Sequence, residues 1–260
     1  MRNLNETNRD VLNDPRIGNK FYTLIESYSL EGNIHRAVAE SFMQQARIGT
    51  LNTLINNNLN FNQNGVYEID YSYLNLLYTL MIGDITYLRF SFVVIDKSNF
   101  PLQLNPQIGS ENTLLYIAVS LQDENHVTID EHNYLVVNAN LNESINNLKI
   151  TDNDFSNYQA SYQDSYLNVL NTYFSYNGVE GNTQYIDYHI SDIEDILNND
   201  YREKYLIHLS EITNIEELVQ SGNIQINMNV YNRHFKDREK QLTLVFTSDD
   251  DFFDMGSLRP

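Results

Sequence analysis

The chain of 260 residues contains no cysteine and no tryptophan, and only four prolines and ten glycines. Without cysteine it can form no disulfide, no thiolate metal site and no cysteine nucleophile. Ten glycines leave little of the tight backbone that cofactor loops require. The sequence carries no G-x-S-x-G, no phosphate-cradling glycine loop and no H-E-x-x-H. Basic residues are scarce as well, with 16 Lys+Arg against 35 Asp+Glu for a net charge of −19. Charge of that sign opposes direct nucleic-acid binding, which neutralises phosphates with Lys and Arg, and opposes docking on an anionic membrane. Long apolar runs are missing too. Leu74–Ile82 and Phe90–Ile95 are interrupted and well short of the ~20 residues of a membrane helix. No apolar h-region follows Arg2. These absences predict a protein made in a cytoplasm, with no cofactor and no membrane span.

What remains is a globular composition, 42% hydrophobic and 20% charged, with 19 Tyr, 12 Phe and many Asn. The length suits one large domain. Residues 1–16 are polar and read as an N-terminal arm. Residues 17–247 read as one α+β domain, with a subdivision near residue 150 as the alternative. Residues 248–260 read as an acidic-aromatic tail.

Within the body, a helix is expected from about Ile17 to Tyr28. A longer one is expected from Ile34 to Asn57, where Ile34, Val38, Phe42 and Ala46 recur every four residues and Leu51, Leu54 and Ile55 extend the stripe. Gly49 weakens it midway. Leu88, Phe90, Phe92 and Val94 alternate with their neighbours as a strand does, and Leu115, Ile117, Val119 and Leu121 repeat the pattern. Tyr134–Val137 is a shorter strand, Asn99–Gly109 a loop, and Tyr71–Ile82 either a buried helix or a strand. Asp154–Tyr176 is helical, with Phe155, Tyr158, Tyr162, Tyr166, Val169 and Tyr173 on one face. Capping boxes at Ser191–Glu194 and Thr213–Glu216 start two short helices. Ile224–Val230 and Leu242–Thr247 alternate cleanly and predict an antiparallel hairpin. The fold class is therefore α+β: a mixed antiparallel β-sheet body, an N-terminal helical layer and a C-terminal β-hairpin.

Three clusters hold side chains capable of chemistry. Asp123–His126 with Asp130–His132 could hold a divalent ion, but no zinc motif has this order, and a solvated hairpin tip explains it better. Asp152-Asn153-Asp154 opens like a calcium loop yet lacks the Gly at position 6 and the Glu at position 12. Asp152 or Asp154 is expected to cap the following helix instead. Asp187 and His189 share a strand face and could form an acid–base pair, without any nucleophile in view.

Two segments read as contact surfaces. In the connection 232–240, Arg233, Lys236, Arg238 and Lys240 form a basic island around Phe235, which reads either as a charge-balanced solvated hairpin tip that discourages edge pairing or as a prong that docks on an acidic surface. The tail sets Asp249, Asp250 and Asp251 beside Phe252 and Phe253; a frayed acidic end is one reading, and the adjacent aromatics favour the other, insertion into a partner's groove. Prong and tail of opposite charge would let identical subunits associate head to tail, the contact that closes rings.

The polar arm Met1–Arg16, the acidic-aromatic end Asp249–Met255 and the Asn- and Tyr-rich, Cys- and Trp-free composition resemble the virion structural proteins of tailed bacteriophages, the crAss-like phages of Bacteroidetes in particular. The resemblance is one of whole-chain character, and no motif residue carries a role over. It implies a multi-copy connector, ring or tail-hub subunit between portal and tail, made in a host cytoplasm and resident in the virion. Its partners would be copies of itself in a ring-like homo-oligomer and other structural proteins of the assembly. The expected function is thus non-enzymatic and structural. Two alternatives stand beside it: an acidic inhibitor or immunity-type protein that binds a basic partner, and a metal-dependent hydrolase with its ion near His126 or His189.

Overall fold

The computed structural model describes residues 34–80, 86–96, 113–129, 133–136, 148–174, 181–199, 203–220, 228, 231, 235–248, 251–253 and 257–259. The expected arm, the helix from Ile17, the loop Asn99–Gly109, Asp130–His132 and Ile224–Asn227 lie outside the described residues.

The α+β expectation holds. Two antiparallel sheets form the body, and an N-terminal helix packs on the smaller of them. That sheet has four strands in the order β1 (Val66–Asp70), β7 (Lys204–Glu211), β8 (Leu242–Ser248) and β9 (Asp251–Phe253). The larger has six: β10 (Ser257–Arg259), β6 (Tyr185–His189), β2 (Tyr87–Asp96), β3 (Thr113–Gln122), β4 (Asn133–Leu135) and β5 (Lys149–Ile150). Phe246 of the small sheet packs edge-on to Phe90 and Tyr188 of the large one, and the Tyr188 hydroxyl donates to the Leu244 carbonyl at 3.1 Å. Edge-to-face ring pairs at such seams add about 0.5–1.5 kcal/mol each beyond the area they bury.

The long N-terminal stripe becomes two helices, α1 (Arg36–Ile48) and α2 (Thr50–Asn56), divided at Gly49. Val38, Ala39, Phe42 and Ala46 are buried where α1 lies on β7. Ile55, expected on the apolar stripe, is instead 59% exposed, because the break at Gly49 rotates α2 out of phase with α1. The ambiguous segment is a helix, α3 (Tyr71–Leu80).

Residues 152–174 are helical as expected, but in three pieces: α4 (Asp152–Tyr162), one π-turn at Gln163–Leu167 and α5 (Asn168–Phe174). The π-turn adds a residue to the repeat and rotates the buried face. Tyr162 and Tyr166 keep the expected stripe, while Leu170 rather than Val169 is buried beyond it. The cap is Thr151, whose hydroxyl accepts from the Asp154 amide at 3.1 Å and donates to the Asp154 carboxylate at 2.7 Å. Asp152 and Asp154 sit in the first turn, where their charge favours the helix.

The two capping boxes are shifted. Helix α6 (Ile190–Asn199) is capped by His189: its Nδ1 accepts from the Ser191 amide, and the Asp192 carboxylate accepts from the His189 amide. Helix α7 (Ile215–Gln220) is capped by Asn214, whose side-chain oxygen accepts from the amides of Glu216 and Glu217.

The largest correction concerns the C-terminal third. β8 is where alternation predicts it, but its partners are β7 and β9. Both edges of Leu242–Ser248 are taken by β7 and β9, so it does not form the expected hairpin with Ile224–Val230, of which only Met228 is among the described residues. The hairpin present is β8–β9, with Phe246 opposite Phe253 and Ser248 opposite Asp251. From there the chain crosses to the large sheet, where Ser257–Arg259 pairs with Tyr185–Asp187. Residues 251–253 and 257–259 therefore belong to the body and supply an edge strand to each sheet.

Candidate functional site

Three places carry the side chains singled out above. The first lies on one face of the large sheet, where antiparallel pairing sets Arg89 opposite Asp187 and Tyr87 opposite His189. The fully buried Asp187 carboxylate takes both arms of Arg89, Nε to Oδ1 at 2.8 Å and a terminal nitrogen to Oδ2 at 3.0 Å. His126 Nδ1 lies 2.8 Å from the same Oδ2. Its ring stacks on Tyr87 at 4.3 Å between centroids, and Tyr87 meets His189 edge-on. The Arg89 guanidinium rests 3.8 Å over the Tyr185 ring. A buried carboxylate is costly alone, and this one has two nitrogen bases and a fork of charge-assisted bonds.

The sequence singled out His126 and Asp187 in separate clusters, and the fold joins them. It parts Asp187 from His189, its expected acid–base partner, which bonds Ser191 instead (Nδ1 to Oγ 2.7 Å). The turn that delivers His126 is set by Asp123, whose carboxylate accepts from the amides of Asn125 and Val127 at 2.8 Å. His126 itself takes φ 62°, a left-handed conformation that its contacts with Asp187 and Tyr87 hold in place. Among the described residues, no group of three His, Cys, Asp or Glu side chains is disposed to hold a metal ion.

The second place is the basic turn. Phe235, expected at the tip of a prong, is buried: it packs edge-on to Phe42 of α1 at 5.2 Å and beside Tyr231 at 5.8 Å. Burying a phenylalanine is worth about 1.5–3 kcal/mol, which a free prong would forgo. Phe235 is the anchor of the turn rather than its contact. Lys236 and Lys240 stay exposed, Arg238 is half-buried, and Arg233 lies outside the described residues. Lys240 donates its amide to the Ile212 carbonyl at 2.8 Å, and the Ile212 amide donates to Gln241 O at 3.1 Å, so the turn is fastened to the end of β7.

The tail is corrected in the same sense. Phe252 and Phe253 are buried against this chain's own sheet, and Phe252 O accepts from the Ile34 amide at 2.8 Å. The aromatics are not free for a partner's groove. Asp251 pairs with Ser248 through the backbone, and Asp249 and Asp250 lie outside the described residues.

The third place went unnoticed in the sequence. Beneath the basic turn, a cavity of about 360 Å³ is bounded by α1, the end of β7, the start of α7 and the turn itself. Its walls include Ser41, Gln45, Glu211, Thr213, Glu217, Glu239 and Lys240. Glu211 closes β7 and is 0% exposed. Its Oε2 accepts from the Thr50 amide at 2.8 Å and the Thr50 hydroxyl at 2.7 Å, capping the start of α2 where Gly49 has no side chain to offer. Oε1 receives one long bond, 3.4 Å from Gln45 Nε2. Burial raises the pKa of this carboxyl, against the pull of Thr50, Gln45 and Lys240. A Cβ at Gly49 would stand 2.4 Å from Oε2, so glycine is what lets the carboxylate reach the helix start. The one available signal was a glutamate closing the alternation Tyr205, Ile207, Leu209 at a position in phase with its buried face.

Compared with protein-family models, curated proteins and solved structures, the chain matches none. Among the described residues, no helix is long and apolar enough to cross a membrane.

Proposed function

We propose that this chain is a non-enzymatic structural subunit of a multi-copy protein assembly, in its specific form a connector, ring or tail component of a phage virion. The observation that supports it most is the basic turn: Lys236 and Lys240 are held out to solvent on a support that Phe235 locks into the core, in a chain of net −19. A rigid cationic knob on an anionic body is complementary to another copy of the same body, and unlike charges of this kind set encounter and register. Ile48 and Ile55, 64% and 59% exposed at the ends of two successive helices, add apolar area to the same N-terminal layer. The burial of Phe252 and Phe253 moves the contact from the tail to the turn.

Mass photometry of the purified chain at 50 mM and 500 mM salt tests the reading. Discrete multi-copy species are expected at low salt, dispersing at high salt and in a Lys236→Glu, Lys240→Glu variant. A chain that stays monomeric under every condition, or oligomers indifferent to both substitutions, would sink it. A tight complex of equal stoichiometry with one basic protein would turn the function toward an inhibitor.

A further inference from the structure

The segment that follows the β3 turn is amphipathic the wrong way round. Residues 127–129 run back along the end of β3: the Ile129 amide donates to the Leu121 carbonyl at 3.0 Å, and the Asp123 amide to the Val127 carbonyl at 2.9 Å. Alternation along such a segment sends Thr128 to one side and Val127 and Ile129 to the other. Thr128 turns to the sheet, where its hydroxyl accepts from Nε2 of buried Gln122 at 3.0 Å. Val127 and Ile129 are left in solvent, 58% and 44% exposed. A segment that served only its own fold would gain by turning the two apolar side chains inward and the threonine outward. The turn is also held still. Asp123 accepts from the amides of Asn125 and Val127, and His126 Nδ1 lies 2.8 Å from the Asp187 carboxylate. A preformed surface of this kind loses little freedom on binding. Its rim is acidic, with Asp123 half-buried and Glu124 exposed.

We infer that this turn, residues 123–129, is the face on which a second copy of the chain seats its basic turn, with Val127 and Ile129 meeting Ile48 and Glu124 meeting Lys236 and Lys240. The inference rests on the assembly reading and names the receiving face. Charge favours this occupant, since an anionic rim meets exposed lysines. Apolar area favours it as well. Ile48, 64% exposed, follows Gln45 by one turn of α1, and Gln45 and Lys240 line the same cavity, so the basic turn carries an apolar neighbour beside its lysines. Placement makes the contact one between copies. Ahead of β6, the Asn182 side-chain amide donates to the Lys240 carbonyl at 3.2 Å. At the far end of β6, His189 meets Tyr87, on which His126 stacks. The five residues of β6 hold the two surfaces about 15 Å or more apart, beyond the reach of one chain's lysines to its own turn. Unlike patches at opposite ends of one strand make a head-to-tail contact, in which each copy offers one patch to each neighbour.

Mass photometry of two variants of the full chain at 50 mM salt, alone and mixed, is the test. Val127→Ser with Ile129→Ser removes the apolar face and leaves the lysines; Lys236→Glu with Lys240→Glu removes the lysines and leaves the face. All four side chains are exposed, so the urea midpoints should match wild type. Each variant alone should associate about tenfold or more weakly than wild type. Mixed in equal amounts they should form dimers of one of each and nothing larger, because each such dimer contains one intact pair of patches. The absence of native cysteine gives a second measurement, independent of the serine variant. Copies carrying Val127→Cys and copies carrying Lys236→Cys should join by a disulfide under mild oxidation, in preference to either like pair. Wild-type multimers that survive Val127→Ser with Ile129→Ser unchanged, or equal cross-linking of like and unlike pairs, would overturn this contact and leave the assembly reading standing. A wild-type chain that is monomeric in every condition overturns both.

Discussion

Asp187 and Glu211 are both carboxylates with no exposed surface, one in each sheet, and their surroundings are opposite. Asp187 is gripped by Arg89 through two bonds and approached by His126, with Tyr185 and Tyr87 closing over the two bases. Glu211 is held by neutral donors, the hydroxyl and amide of Thr50 and the side chain of Gln45, with Lys240 pulling on its charge and no direct ion pair. The first site is complete and explains itself as structure, since every charge in it has an answer from its own chain. The second is held in place by the helix it caps, through neutral donors where the first has an ion pair. Polar residues gathered in the sequence thus mark the first site, and a lone glutamate at a strand end marks the second.

The sharpest way to break the comparison is Asp187→Ala. It strands Arg89 in a half-buried position, and we expect a loss of about 3–5 kcal/mol in urea unfolding, much of it restored by adding Arg89→Met. Acidification is expected to come next, through His208 on the opposite face of β7. Burial and nearby Arg47 lower its pKa to about 4 from 6.5, so the unfolded chain binds a proton that the folded chain refuses between those values. Stability should therefore fall by up to about 3 kcal/mol as pH drops from 6.5 to 4, and His208→Gln should flatten that slope. Gly49→Ala tests the fit around Glu211. It should cost about 1–3 kcal/mol in the wild type and much less on a Glu211→Ala background, a coupling read by a double-mutant cycle. Smallest of all is Glu211→Gln, expected within about 1 kcal/mol of wild type at pH 7, because losing a charged bond is offset by losing a buried charge. The raised pKa of Glu211 has the opposite sign to that of His208. Its contribution weakens as pH rises through the window above 4.5, and that decline should vanish in Glu211→Gln.

Much of the fold was legible where one face of an element meets the core and the other meets solvent. The stripe Val38, Phe42, Ala46 and the alternation in β2, β3 and β8 all correspond to real elements. The pairing expected of Leu242–Thr247 went elsewhere, to β7 and β9, while the neighbouring Tyr231 and Phe235 are buried together and Phe235 packs on Phe42 of α1. Strands β1 and β7 were passed over because each is brief or interrupted by Lys204, His208 and Ser210, whose partners lie far off in the chain. The contact residues proposed from charge and aromaticity divided along the same line. Lysines stayed outside, while Phe235, Phe252 and Phe253 went in, since a phenylalanine beside acids gains more from its own core than from waiting for another. The cavity was invisible, for its walls come from residues 41–45, 211–218 and 239–240, which only the folded chain assembles.

Residues 251–253 pair with β8 and residues 257–259 with β6, so both sheets receive an edge strand from the same short stretch of the sequence. The consequence is one of timing. A ribosome must release almost all of these 260 residues before either sheet has its full set of strands, and β6 and β8 wait with an open edge until then. Long-range pairing of this kind folds slowly and exposes unpaired strands meanwhile. Cutting the chain before Asp251 would remove β9 and β10 together and leave a chain that begins two sheets and finishes neither.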